Sequence, residues 1–135
     1  MKVNRLLVFA ITLLLYVSAT AHAQKLQWAF PGDRITFEQW TQYFDRLANT
    51  KGAILTEDPN FYIINLFSDP EHPAIYVFTK PTHPSYPAVV IRAVESDGGE
   101  SRIIRHGHYA GDQAAFDKLW HEYDALDKKN IEDAK

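Results

Sequence analysis

The chain has 135 residues and a formal charge of −3, from 14 basic and 17 acidic residues, with six histidines and no cysteine. The missing cysteine excludes disulfides and thiolate metal sites, and a net negative chain is a poor match for nucleic acid, which binds proteins through lysine and arginine neutralising phosphates. At this length a single hydrophobic core is expected, and without cross-links packing has to supply its stability.

In chain order, Lys2 and Arg5 precede an apolar run from Leu6 to Val17, followed by small residues ending in Ala21-His22-Ala23. A basic start, a short apolar stretch and an A-x-A end predict a cleavable secretory signal over residues 1–23. The mature protein is then expected to begin at Gln24 and to form one globular domain over 24–135, in the bacterial periplasm or outside the cell. No cysteine follows the apolar run, which argues against a lipid anchor, and beyond the leader no apolar run is long enough to span a bilayer. With the leader's two basic residues gone, 17 acidic residues face 12 basic ones and leave −5.

Thr36 stands three residues before Gln39, the spacing of a capping box, and Phe37, Trp40, Phe44 and Leu47 recur at helical intervals. A helix is predicted from Phe37 to about Asn49, with Gly52 as a stop beyond its last turn. Three short runs rich in β-branched and aromatic residues then read as strands: Phe61 to Phe67, Ala74 to Thr79 and Ala88 to Glu95. A fourth, Ser101 to Tyr109, follows Gly98-Gly99, a pair that accepts the positive φ of a tight hairpin. The first two strands are joined by turn chemistry in Ser68-Asp69-Pro70-Glu71-His72-Pro73. Asp112 caps a closing helix whose apolar stripe is Phe116, Leu119, Trp120, Tyr123 and Leu126, and the charged tail from Lys128 is expected to fray. The fold class is therefore α+β: a four-stranded antiparallel meander flanked by an N-terminal and a C-terminal helix, in the order α-β-β-β-β-α.

Tyr62, Ile64 and Leu66 alternate with Phe61, Ile63 and Phe67, and Ile75 and Val77 alternate with Tyr76 and Phe78, so both faces of the early strands are apolar. The simpler explanation is one helix on each face, because monomers rarely leave large apolar patches bare. The sharper one is an apolar sheet face kept for a partner or for a second copy of the chain.

Pro81, Pro84 and Pro87 recur every three residues, the period of polyproline II, which would set the prolines along one edge of a stiff loop and His83 and Tyr86 along another. The favoured role is a rigid strand connection, for which a cis proline would serve, and the functional alternative is a preformed contact loop presenting His83 and Tyr86. Arg92, Arg102 and Arg105 suggest a basic strip able to grip an anionic ligand, with Arg92 and Arg102 close across the hairpin in a symmetric register. The commoner outcome is pairing with Glu95, Glu100 or Asp97. His106 and His108, at i and i+2, point to one face of an unbroken strand unless Gly107 makes a bulge. A zinc or copper site there is the minority alternative, since no HExxH or other familiar ligand spacing accompanies the pair.

No nucleophile stands in a recognisable catalytic context, and no phosphate-cradling glycine loop occurs. The sequence therefore favours a non-enzymatic role without a cofactor: a small exported binding or inhibitor-type protein, immunity-like in character, acting by contact with another envelope or secreted protein. Candidate binding residues are His83, Tyr86, Arg92, Arg102 and Arg105. The alternative is a small periplasmic hydrolase, or a metal or small-ligand binder, using the region of His106, His108 and Asp112.

Overall fold

A computed structural model of the chain describes residues 28–68 and 73–133. The signal expected over residues 1–23 lies outside the described residues, as does His72 with the turn around it. Helix α1 spans Phe37–Ala48, strands β1 to β5 span Ile54–Glu57, Phe61–Leu66, Ala74–Thr79, Ala88–Asp97 and Glu100–Tyr109, and helix α2 spans Gln113–Asp133. The described residues thus form an α+β fold in which a five-stranded antiparallel sheet runs β1-β2-β3-β4-β5 in sequence order.

Local chemistry accounts for the boundaries. The expected capping box starts α1: the Gln39 N–H donates to Thr36 Oγ1 at 3.0 Å, and the Thr36 N–H donates to Gln39 Oε1 at 2.9 Å. Gly98 and Gly99 carry the hairpin between β4 and β5 with φ of 58° and 88°, the left-handed pair that matches the twist of adjoining strands. Asp112 caps α2, its carboxylate accepting from the Ala115 N–H at 2.9 Å.

Two expectations need correction. The sheet has five strands rather than four, because Ile54–Glu57 pairs with β2 from Ile54↔Asn65 to Glu57↔Tyr62. All four of its residues are exposed, so this edge strand has no buried face to imprint a pattern on its sequence. The charged end of α2 also stays helical to Asp133. No glycine or proline follows Asp112, and Ala, Lys, Asp and Glu tolerate helix without a packed face.

The register separates the two faces. Ile64, Tyr76, Ile91 and His106 are consecutive cross-strand partners, and so are Tyr62, Phe78, Val89 and His108. This face carries the main core, where α1 brings Trp40, Tyr43 and Leu47 against Ile64, Phe78, Val89 and Ile91. The opposite face is covered by α2, whose Phe116 and Leu119 pack on Ala88, Val90 and Tyr109, with Phe61, Trp120 and Tyr123 alongside. Each sheet face therefore holds one helix, the simpler explanation of the two-sided apolar pattern.

Candidate functional site

The segment before α1 forms a strap over the end of β5. The Tyr109 N–H donates to Asp33 O and the Ile35 N–H donates to Tyr109 O, both at 2.9 Å, which makes a short parallel bridge at Arg34. Tyr109 thus turns both its main-chain groups away from β4. In an antiparallel ladder this direction alternates, and β4 and β5 pair without interruption from Ala88↔Tyr109 to Asp97↔Glu100. The main-chain N–H and C=O groups of Gly107 and Arg105 therefore also face outward, along an edge of the sheet that no other strand of the described residues pairs. The same unbroken register shows that Gly107 makes no bulge, so His106 and His108 share a face.

Upstream of Asp33 the strap leaves the edge and climbs over that face. His108 Nδ1 donates to Gly32 O at 2.8 Å, Phe30 meets the His108 ring edge-on at 5.1 Å, and Trp28 stacks on His106 at 4.3 Å. Between the strap on one side of the sheet and α2 on the other lies a slot of about 260 Å³, lined by Asp33, Arg105, His106, Gly107, Phe116, Asp117 and Trp120. Gly107 is what lets α2 approach: a Cβ there would lie 2.7 Å from Phe116 Cζ and 3.0 Å from Trp120, closer than packed carbons tolerate.

The two imidazoles behind the slot sit 4.7 Å apart, and His108 is fully buried. Its Nδ1 carries the proton shared with Gly32, so Nε2 holds the lone pair. The Nε2 atoms of both rings are buried without a hydrogen-bond partner among the described residues. Burial pushes both below the ordinary histidine value. The neighbouring His108 adds to that for His106, while the Asp33 carboxylate opposes it for both and the Gly32 hydrogen bond opposes it for His108. Both rings are accordingly neutral at neutral pH. Among the described residues no three His, Cys, Asp or Glu side chains are grouped to hold a metal ion, so the pair stands without a third ligand of that kind.

The arginines part company. Arg92 is opposite Arg105, and Arg102 is opposite Glu95, so the expected proximity of Arg92 and Arg102 gives way to a different register. Arg102 Nε donates to Glu95 Oε2 at 2.8 Å on the exposed hairpin. Arg92 and Arg105 instead lie beneath α2. Asp127 pairs with both, at 2.9 Å from its Oδ2 to Arg105 Nη1, and Asp124 pairs with Arg105. Arg105 also stacks 4.2 Å over the Trp120 ring. The three do not form one open basic strip.

The proline-spaced loop is not polyproline II, which has no internal hydrogen bonds. It is two successive turns, with the His83 N–H donating to Lys80 O at 2.9 Å and the Tyr86 N–H to His83 O at 3.1 Å. The Tyr86–Pro87 peptide is cis. His83 leans on Phe61 at 4.9 Å, beside the α2 cluster, whereas Tyr86 packs edge-on against Trp40 at 5.4 Å, in the α1 core. The two rings lie toward opposite faces of the sheet. His83 Nδ1 accepts from the Ser85 N–H at 3.1 Å and lies 2.8 Å from Ser85 Oγ. Ser85 is wholly buried, which fits a staple within the loop rather than a nucleophile meeting a substrate.

Asp33, Asp117, Trp120 and Gly107 did not stand out in the sequence as members of a site. They lie up to 87 positions apart, and the slot arises only when the strap and α2 flank β5. Among the described residues no helix is long and apolar enough to cross a membrane. Compared with protein-family models, curated proteins and solved structures, the chain matches none.

Proposed function

We propose that this chain is an exported, non-catalytic protein of the bacterial envelope that works by binding another protein, as inhibitor- and immunity-type domains do. The observation that supports it best is the slot at the β5 edge, which combines a strand edge left unpaired among the described residues, a wall of aromatic rings and polar groups on both lips, the ingredients of strand addition by a partner. Among the described residues the slot is lined by no Ser, Thr, Cys or Lys, and Asp112 is spent as a helix cap, which weighs against the hydrolase alternative at His106, His108 and Asp112.

The test is a photo-crosslinking residue placed at Lys118, which is exposed on α2 beside Asp117, in the full-length chain expressed in a bacterial host. The expected result is a mature protein of lowered mass in the envelope fraction, crosslinked one-to-one to a single protein. Full-length mass in the cytosol, or no crosslinked species at this position, removes the proposal.

A further inference from the structure

We propose that the slot at the open edge of β5 takes an extended segment of a partner protein with a lysine or arginine seated between Asp33 and Asp117. This deepens the contact reading above and rests on it.

The floor of the slot calls for main chain. The outward N–H and C=O groups of Gly107 and Arg105 continue the edge that the strap uses at Tyr109, and His108 holds Gly32 over the sheet face, so the described strap, from Trp28 on, does not run down the edge past Asp33. A partner strand laid there extends the sheet by the same hydrogen bonds that the strap begins. Arg105 Nε is buried without a hydrogen-bond partner among the described residues, in a side chain only 10% exposed. His106 Nε2, on the other face of the strand, is in the same condition, so two residues of the lining carry buried polar atoms that no described residue satisfies.

The lips set the charge. Asp33 and Asp117 are both exposed, stand on opposite sides of the slot, and have no ion pair among the described residues. Among the described residues the one cation in the lining, Arg105, is already matched by Asp124 and Asp127, so what they leave for a visitor is net negative. Phe116 and Trp120 give the wall an apolar stretch on which the methylene stem of lysine or arginine can lie while its head stays in water between the carboxylates. At about 260 Å³ the slot falls below the common size of small-molecule pockets, roughly 300 Å³ and upward, and suits one side chain with its length of backbone.

The experiment titrates the chain with three capped pentapeptides, valine throughout except for a central lysine, glutamate or norleucine, and follows the Gly107 amide and the Trp120 indole by NMR. The lysine peptide is expected to shift both signals and to bind about fivefold or more tighter than the norleucine one, the scale of one well-placed ion pair, while the glutamate peptide binds weakest. Replacing Asp33→Asn and Asp117→Asn together should erase the lysine preference with the rest of the spectrum unchanged. Equal binding of the lysine and glutamate peptides overturns the proposal, and so do shifts confined to the other open edge at Ile54–Glu57. Displacement of the lysine peptide by equimolar spermidine overturns it too, because the slot would then be a site for small free cations. Should the double variant still form the envelope crosslink at Lys118, the basic segment is ruled out and the contact reading stands. Should the wild type show no crosslink yet prefer the lysine peptide, the contact reading falls and the slot's preference stands.

Discussion

The two faces of the sheet are covered by helices of unlike kinds. Under α1 the contact is wholly apolar, with rings set among aliphatic side chains: Trp40, Tyr43 and Phe44 each meet Phe78, at 5.6, 5.8 and 5.1 Å between ring centres, and one polar tie, Trp40 Nε1 donating to Ala88 O at 2.9 Å, fixes the helix over the sheet. Under α2 the fully buried apolar contact is smaller, made by Ala88, Val90, Tyr109, Phe116 and Leu119, with Phe61, Trp120 and Tyr123 only partly covered beside it. The next turns of the helix are held by Asp124 and Asp127 reaching down to Arg92 and Arg105. Apolar burial is strong and indifferent to direction, whereas buried ion pairs add little net stability and demand one arrangement. The contrast teaches that α1 carries the stability of the fold, while α2 is held in one register above the edge slot that its first turns help to build.

The largest effect is expected where the aromatic side is broken. Phe78→Ala removes a fully buried ring from contact with three others and should cost about 3 to 5 kcal/mol in chemical denaturation. A loss below about 1 kcal/mol would mean that the α1 side is not the principal core.

The charged side should answer differently. Asp127→Asn leaves Arg92 and Arg105, whose side chains are 16% and 10% exposed, without their shared carboxylate, for an expected loss of about 3 kcal/mol. Replacing Arg92, Arg105 and Asp127 together with Met, Met and Leu should restore most of that loss, because the desolvation cost disappears with the charges. The triple variant should nonetheless hold α2 less uniquely, read as broadened Trp120 and Gly107 signals in NMR. A triple variant as unstable as the single one would show that the network stabilises the fold outright.

How much of this was legible in the sequence follows from the same contrast. The capping box, the glycine hairpin, the Asp112 cap and the Trp40, Phe44 and Leu47 part of the α1 stripe rest on neighbours in sequence and are readable from spacing alone, whereas Phe37, expected in that stripe, is exposed and Tyr43 is buried instead. β1 was missed because an exposed edge strand has no buried partner face to enforce alternation. Arg92 and Arg105 could be named but not placed: their partners lie 35 and 22 residues on in Asp127, and only the register that sets Arg92 against Arg105 brings one carboxylate to both. The polyproline reading of the Pro81 to Pro87 loop failed because proline spacing alone does not register the backbone bonds made by His83 and Tyr86. The slot was the least visible feature, since neither Asp33 nor Asp117 has a local pattern and their relation depends on two elements flanking a third.

The strap joins the α1 side to the slot through the two imidazoles, and acidification tests that link. In the fold both rings are held below the ordinary value of 6.5, chiefly by burial, so below pH 6.5 the unfolded chain takes up protons that the native one resists. Stability is therefore full above that pH and is lost as pH falls through the lower native values. His83, lowered mainly by burial although Glu122 opposes it, adds a contribution of the same sign. The melting temperature should fall between pH 7.5 and 5, and less so in His106→Phe, which keeps a ring against Trp28 and removes one titrating group. Equal slopes for the two proteins would show that His106 is not charged on unfolding in this range.

The smallest effect is expected at Arg102, whose side chain is 74% exposed. It lies across from Glu95 at the far end of the hairpin from the slot, and its guanidinium is bathed in solvent, so the entropy of holding two long side chains together nearly cancels their screened attraction. Arg102→Ala should change stability by less than about 0.5 kcal/mol, leave the lysine-peptide titration at Gly107 unaltered, and show little dependence on salt. The same substitution at Arg105 removes the guanidinium that joins Asp124, Asp127 and the Trp120 ring, and should both destabilise the fold and disturb the Gly107 signal. If the two variants behaved alike, the division between a solvated hairpin pair and a network that sets the position of α2 would be lost, and with it the account of why the slot sits where it does.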